Sequence, residues 1–386
     1  MRILFAVSMQ NSHFYPMVPL AWSMRADGHD VRVAHPPALT GPVVSSGLTS
    51  VQVGQNPVMT DEMRAKLHGR GDGDAAADPR HNMFQNLGFF RGVTELMAED
   101  LEKVLHSWSP DLIVFDWQCY AAAILGRAGG VPTARFLFGP DFAGGVPGWR
   151  EIEHRLLGDL LDRAGTDISA LDGDQGIDVC PPLLQFDDAR PSIPARYVPY
   201  NGAGAAERRD GADRRPRLAV TLGGTHSWVT GDLAPMQAVV TALDSVDLDI
   251  VVAVPGHSRE LAPPASDRVT VKVDEPLALL IEDCDAILHH GGDGTVATSL
   301  VGGVPQIIAP SGFADFATVH SAGRVARCGA GVILDLEEGD AAIRATVEKV
   351  LADDGMRRSA AARAAVEQSR PGVVDAGRAL VANIDG

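Results

Sequence analysis

The stretch Ala286-Ile287-Leu288-His289-His290-Gly291-Gly292-Asp293-Gly294-Thr295 constrains this chain of 386 residues more than any other. Its apolar start reads as a buried strand, its glycines as a tight turn, and the segment beyond them, through Leu300, as a helix. Strand, turn and helix in that order is the repeating piece of a parallel sheet. Glycines let the main chain come close to an anion, and a helix start offers unpaired N–H groups with about half a positive charge. His290 can add a ring donor and Thr295 a hydroxyl, so the spacing predicts a cradle for a diphosphate that needs no lysine. The order Gly-Gly-Asp-Gly-Thr matches neither the P-loop nor G-x-G-x-x-G. Neighbouring histidines at a strand end face opposite sides, which makes them poor co-ligands for one metal.

The same alternation runs along the rest of the chain. Residues 2–7 read as a first strand and 17–25 as a helix capped by Gly28, with a second strand at 31–34. Residues 83–108 place Phe84, Leu87, Phe90, Val93, Leu96 and Met97 at helical spacing. Strands are expected at 112–115 and 133–136, then at 218–222, 250–254, 269–273, 286–289, 306–309 and 332–334. Residues 68–80 are rich in Gly, Asp and Ala and are expected to form a mobile loop. Pattern is lost again near 194–216. A chain this long exceeds one hydrophobic core, so two domains are expected. The expected division is 1–200, a linker 201–216, then 217–370, with 371–386 as a final helix. Both halves read as α/β, doubly wound Rossmann-like sheets, whose ligands bind beyond the carboxyl ends of the strands.

A net charge of −17 with no dense Lys/Arg cluster argues against a nucleic-acid partner. Cys119, Cys180, Cys284 and Cys328 are scattered, with no zinc spacing, which suits the cytoplasm. The apolar opening is too short for a signal peptide, and no run suits a membrane span.

A series of segments in fixed order then carries a resemblance. It comprises Met1-Arg2-Ile3-Leu4-Phe5, His13 to Pro16, Leu20-Ala21, Gly28-His29-Asp30-Val31, Pro110-Asp111-Leu112-Ile113 and Tyr197-Val198-Pro199-Tyr200-Asn201-Gly202. It continues through Arg217 to Gly223, His289 to Thr295, Gly303-Val304-Pro305-Gln306 and Gly329-Ala330-Gly331. The chain resembles the nucleotide-sugar-dependent glycosyltransferases of the GT-B fold, and among them the actinobacterial branch that decorates antibiotics with deoxysugars.

The resemblance implies two Rossmann-like domains facing across a cleft, the first for a hydrophobic natural-product aglycone and the second for a dTDP- or UDP-sugar. The final helix would cross back to the first domain. Transfer would proceed with inversion and without cofactor or metal. His13 would be the general base, oriented by Asp116; the alternatives are a turn histidine and a helix cap. Gly223, Gly224 and Thr225, after the strand at 218–222, resemble a loop that approaches the diphosphate, together with His290, Gly292, Gly294 and Thr295. The nucleobase would lie against Val273 to Pro276, where many relatives carry an aromatic and this chain has Asp274. Asp315-Phe316 stands where relatives often have Asp-Gln on the sugar; Phe in place of Gln suits a sugar that has lost hydroxyls. Phe14, Tyr15, Phe89, Phe90, Phe138 and Phe142 are candidates for the acceptor wall or for the core. A homodimer, a carbon-linked product, a non-catalytic binding homologue and an epimerase of the same fold stay open.

Overall fold

Leu112–Asp116 and Thr133–Leu137 are buried at every position, as expected of strands covered on both faces. The computed structural model describes residues 1–58, 60, 79–206, 215–310 and 315–385, with the side chains of 79–82, 226, 315 and 385 outside that description. Within it the chain forms two units, Met1–Tyr197 with Arg370–Gly386, and Val198–Ser369.

Unit 1 holds seven parallel strands: β1 Arg2–Ala6, β2 Asp30–His35, β3 Thr49–Gln52, β4 Leu112–Asp116, β5 Thr133–Leu137, β6 Gln175–Asp178 and β7 Ile193–Pro194. Their order is β3-β2-β1-β4-β5-β6-β7, so the winding reverses between β1 and β4. Helix Pro79–Trp108 buries Met83, Leu87, Phe90, Val93, Met97 and Leu101 along one stripe. Leu96, expected on that stripe, is 39% exposed, because it sits just past the edge of the buried arc. The segment expected to be mobile, 68–80, lies outside the described residues except for 79–80, which open this helix.

Unit 2 holds six parallel strands: β8 Arg217–Thr221, β9 Asp249–Val254, β10 Val269–Val273, β11 Ala286–His289, β12 Gln306–Ile308 and β13 Gly331–Ile333. Their order is β10-β9-β8-β11-β12-β13, and the winding reverses between β8 and β11. Successive side chains feed opposite faces. Leu218, Val220 and Leu288 pack with Met236, Val239, Ile343 and Val347. Ala219 and Ile287 pack with Leu280, Ile281 and Val304 on the other side. This two-sided burial is why the strands read as continuous apolar runs.

The stretch expected as a linker begins with residues held to unit 2. Asn201 Oδ1 accepts from Ala278 N at 3.0 Å, and a Cβ on Gly204 would stand 2.4 Å from Pro276 Cδ. Residues 207–214 lie outside the described residues. At the other end, helix Val373–Asp385 belongs to unit 1. Gly377 lets it lie close to Leu20 and Met24, Arg378 pairs with Asp27, and Arg370 donates to the Cys180 carbonyl at 2.9 Å. Among the described residues no helix is long and apolar enough to cross a membrane.

Candidate active site

In unit 1 the candidate residues converge where the winding reverses. β1 and β4 are neighbours, with Ala6 opposite Phe115, so the chain leaving β1 passes the last residue of β4, Asp116. Asp116 is fully buried and accepts from Ser8 N at 2.9 Å, Ser8 Oγ at 2.5 Å and Gln118 N at 3.1 Å. Its Oδ1 lies 2.9 Å from His13 Nδ1, a contact between residues 103 apart in sequence. The helix after β4, Tyr120–Ala128, has Cys119 at its N-cap position, with no side-chain capping bond, so Asp116 is not its cap. Burial alone would raise the Asp116 carboxyl. The charge and hydrogen bond of His13, with those from Ser8, outweigh it and hold the group below its usual range.

His13 rides on the short helix Asn11–Phe14, and its side chain is 12% exposed. The preceding Gln10 has φ 59 and ψ 147, a conformation that costs a residue with a Cβ about 1–3 kcal/mol. Its carbonyl accepts from His13 N and Phe14 N, which fixes the turn that presents the imidazole. The rings of Phe138 and Phe90 stand 5.1 and 5.6 Å from that of His13. All four of Phe14, Phe90, Phe138 and Phe142 are buried; Phe90 and Phe138 border the imidazole, and Phe142 is stacked on Trp149. Gln118 also donates to Asn86 Oδ1 at 3.0 Å, and both side chains are buried.

In unit 2 the loops after β8 and β11 are neighbours, because Thr221 stands opposite His289. The segment at 223–225 is the start of helix Gly223–Thr230 and not an open loop. Gly223 has φ 70, and a Cβ there would stand 2.7 Å from His290 Cε1; one on Gly292 would stand 2.5 Å from His290 Nε2. The imidazole of His290 is thus wedged between two glycines. A Cβ on Gly224 would meet nothing within 4 Å, so the close-approach glycine of that pair is Gly223. Helix Asp293–Gly302 starts at Gly292, whose carbonyl accepts from Thr295 N and Val296 N. The amides of Gly292 and Gly294 have no partner among the described residues, and Gly292, Gly294 and Thr295 are half-buried.

The two histidines of the motif diverge. His289 is buried; its Nδ1 accepts from Gly291 N at 3.1 Å and its Nε2 faces Gln306 Oε1 at 3.0 Å. Burial pushes its pKa down to about 4, against the hydrogen bond to Gln306. Val273 closes β10 and is half-buried. Asp274 after it has φ 54, and its Oδ1 accepts from Gly256 N at 2.8 Å. A short polar side chain tolerates that left-handed backbone and ties two loops, which accounts for Asp at an aromatic's place. Asp315 opens helix Asp315–Arg327, but its side chain lies outside the described residues; Phe316 is half-buried. Among the described residues no three His, Cys, Asp or Glu side chains gather as a metal ligand set.

Ser8, Gln10, Gln118, Asn86 and Gln306 do not stand out from the sequence as site residues. Of these only Gln306 carries a signal, lying within the segment 303–306 of the resemblance.

Residues 22–223 match the N-terminal domain, and residues 237–382 the C-terminal domain, of Erythromycin biosynthesis protein CIII-like proteins. The chain is 32% identical over 378 residues to an aclacinomycin-T 2-deoxy-L-fucose transferase of Streptomyces galilaeus, across 86% of this chain and 84% of that one. It is 31% identical over 405 residues to the TDP-daunosamine transferase DnrS of Streptomyces peucetius, across 94% and 92%. The structure of the spinosyn rhamnosyltransferase SpnG complexed with thymidine diphosphate matches with a TM-score of 0.82 at 26% identity, covering 98% of this chain and 100% of that one. Two parallel α/β units with this likeness define a glycosyltransferase of the GT-B fold. The chain belongs to the Erythromycin biosynthesis protein CIII-like family, and its likeness to the antibiotic deoxysugar transferases holds over nearly its full length.

Proposed function

We propose that the protein transfers a deoxysugar from a thymidine diphosphate donor to a hydrophobic aglycone, with inversion at the anomeric carbon and His13 as the base. The observation that carries this reading is the His13–Asp116 pair. A carboxylate on Nδ1 fixes the tautomer, leaves Nε2 to take a proton, and stabilises the imidazolium that results. The acceptor hydroxyl loses its proton to Nε2 as its oxygen attacks the anomeric carbon, and the bond to the diphosphate breaks on the opposite face. Phe90 and Phe138, against the same ring, suit a flat apolar acceptor.

Unit 1 takes the acceptor in this reading and unit 2 the donor. The free amides at Gly292 and Gly294 and the helix end behind them balance the leaving diphosphate, with His290, Thr225 and Thr295 as further donors. Val273 borders the nucleobase and Asp315 the sugar. The names of the relatives favour thymidine diphosphate over UDP and deoxysugars over hexoses. No metal is required where a helix end supplies the charge, so a chelator leaves turnover intact.

The test is transfer from a dTDP-deoxysugar to a panel of polycyclic phenols and macrolactones, with the anomeric configuration of the product read by NMR. Inversion, together with a His13→Ala variant that binds thymidine diphosphate normally but turns over about 10²–10⁴-fold more slowly, is the expected result. Retention of configuration, or an unimpaired His13→Ala enzyme, would remove His13 from the base role.

A further inference from the structure

His289 and Gln306 lie behind the turn that carries the cradle, and neither has a place in the transfer described above. Gly291 N can only donate, so the His289 Nδ1 that faces it at 3.1 Å must carry a lone pair. The proton is then on Nε2, which needs an acceptor, and Gln306 Oε1 at 3.0 Å is that acceptor. The other neutral tautomer and the imidazolium would each set an N–H against the Gly291 N–H. One protonation state of three fits. Burial keeps the ring neutral, with a pKa of about 4.

Gln306 serves this bond at a cost. Its side chain is fully buried, and Nε2 has no hydrogen-bond partner among the described residues. An orphaned buried amide destabilises the fold, so its carbonyl oxygen is the part of the residue that the fold uses. What the bond holds is Gly291, with φ 95 and so little room that a Cβ would stand 3.0 Å from Ile308 Cγ2. With its amide turned towards His289, Gly291 offers no N–H to a ligand, and the turn presents the amides of Gly292 and Gly294 instead.

We infer that Gln306 and His289 are positioning residues for the donor: Gln306 selects the tautomer of His289, and His289 selects which backbone amides of the turn face the diphosphate. The inference rests on reading the cradle as the diphosphate site. An Asn side chain places a carbonyl oxygen where His has Nδ1, so it can keep the Gly291 bond without Gln306.

The test is calorimetric titration of the full chain with thymidine diphosphate, with folding checked by circular dichroism. His289→Leu is expected to weaken binding about tenfold and His289→Asn to restore most of it. Gln306→Leu is expected to weaken binding in the natural background and to add nothing once His289 is Asn. If His289→Leu does not fold, the Gln306→Leu and His289→Asn cycle decides alone. Equal losses for Gln306→Leu in both backgrounds, or a His289→Asn chain that folds yet binds no better than His289→Leu, would overturn the relay. A natural chain that binds no thymidine diphosphate at all would instead overturn the reading of the cradle, and the relay with it.

Discussion

The two units put their candidate residues at the same topological place and build them from opposite materials. In unit 1 the reversal between β1 and β4 holds side chains, Asp116 and His13. In unit 2 the reversal between β8 and β11 holds main chain, shaped by Gly223, Gly291 and Gly292. Asp116 in the first and His289 in the second are both fully buried, and the two are driven opposite ways. Asp116 collects donors from Ser8, Gln118 and His13 and stays charged. His289 has a single acceptor in Gln306 and is held neutral by burial. What decides the charge of a buried group is thus how many partners the fold brings to it.

The sharpest way to break this contrast is Asp116→Asn, which leaves a neutral group on Nδ1. Turnover should fall about 10²–10⁴-fold while thymidine diphosphate titrates as before, because the loss stays in unit 1. A parallel loss of nucleotide affinity would mean that the two sites are not independent.

The second test is thermal unfolding against pH. The unfolded chain protonates His289 near 6.5 and the native chain only near 4, so this residue removes stability as pH falls through that window. The loss is about 3 kcal/mol, and the natural chain should lose stability relative to His289→Asn over the same range as pH falls. For Asp116, whose native pKa is lowered, the stabilisation is present above the ordinary carboxylate range and is lost only as pH falls through the lower native value. A smaller effect is expected from Asn86→Leu. It strands the buried Gln118 amide at about 1–3 kcal/mol, read as a lower melting temperature that added thymidine diphosphate does not selectively restore. Smallest is Asp293→Asn. Removing the acid at the first position of the cradle helix should tighten nucleotide binding about two- to fivefold in calorimetry, since carboxylate and diphosphate compete for one helix end.

The same contrast explains what is legible in the sequence. The cradle is contiguous, so a strand, glycines and a helix start announce it within ten residues. The pairing of His13 with Asp116 spans 103 residues and is reached only through family likeness, since nothing in the spacing of the two residues brings them together. Ser8, Gln118 and Asn86 escape notice because a serine after a strand and two amides elsewhere in the chain have no sequence signature; the register of β1 on β4 brings Ser8 to Asp116, and the Gln118 side chain ties the same turn to Asn86 on the long helix. His289 and Gln306 are visible as letters of a motif, but their bond depends on β11 lying beside β12. The parallel character of both sheets is legible from alternation. The short β6 and β7 are not, because Gln175–Asp178 is brief and polar and Ile193–Pro194 has only two residues.

The placement of the terminal helix bears on how such enzymes can be recombined. Val373–Asp385 comes after unit 2 in sequence and is packed on unit 1, through Gly377, Arg378 and the Arg370 bond to Cys180. A hybrid made with one crossover near Val198 would therefore inherit its first sheet from one parent and the helix that seals that sheet from the other. Exchanging the second unit cleanly takes two crossovers, at Val198 and at Arg370, and the fit between residues 18–26 and 373–385 becomes the first thing to match between parents.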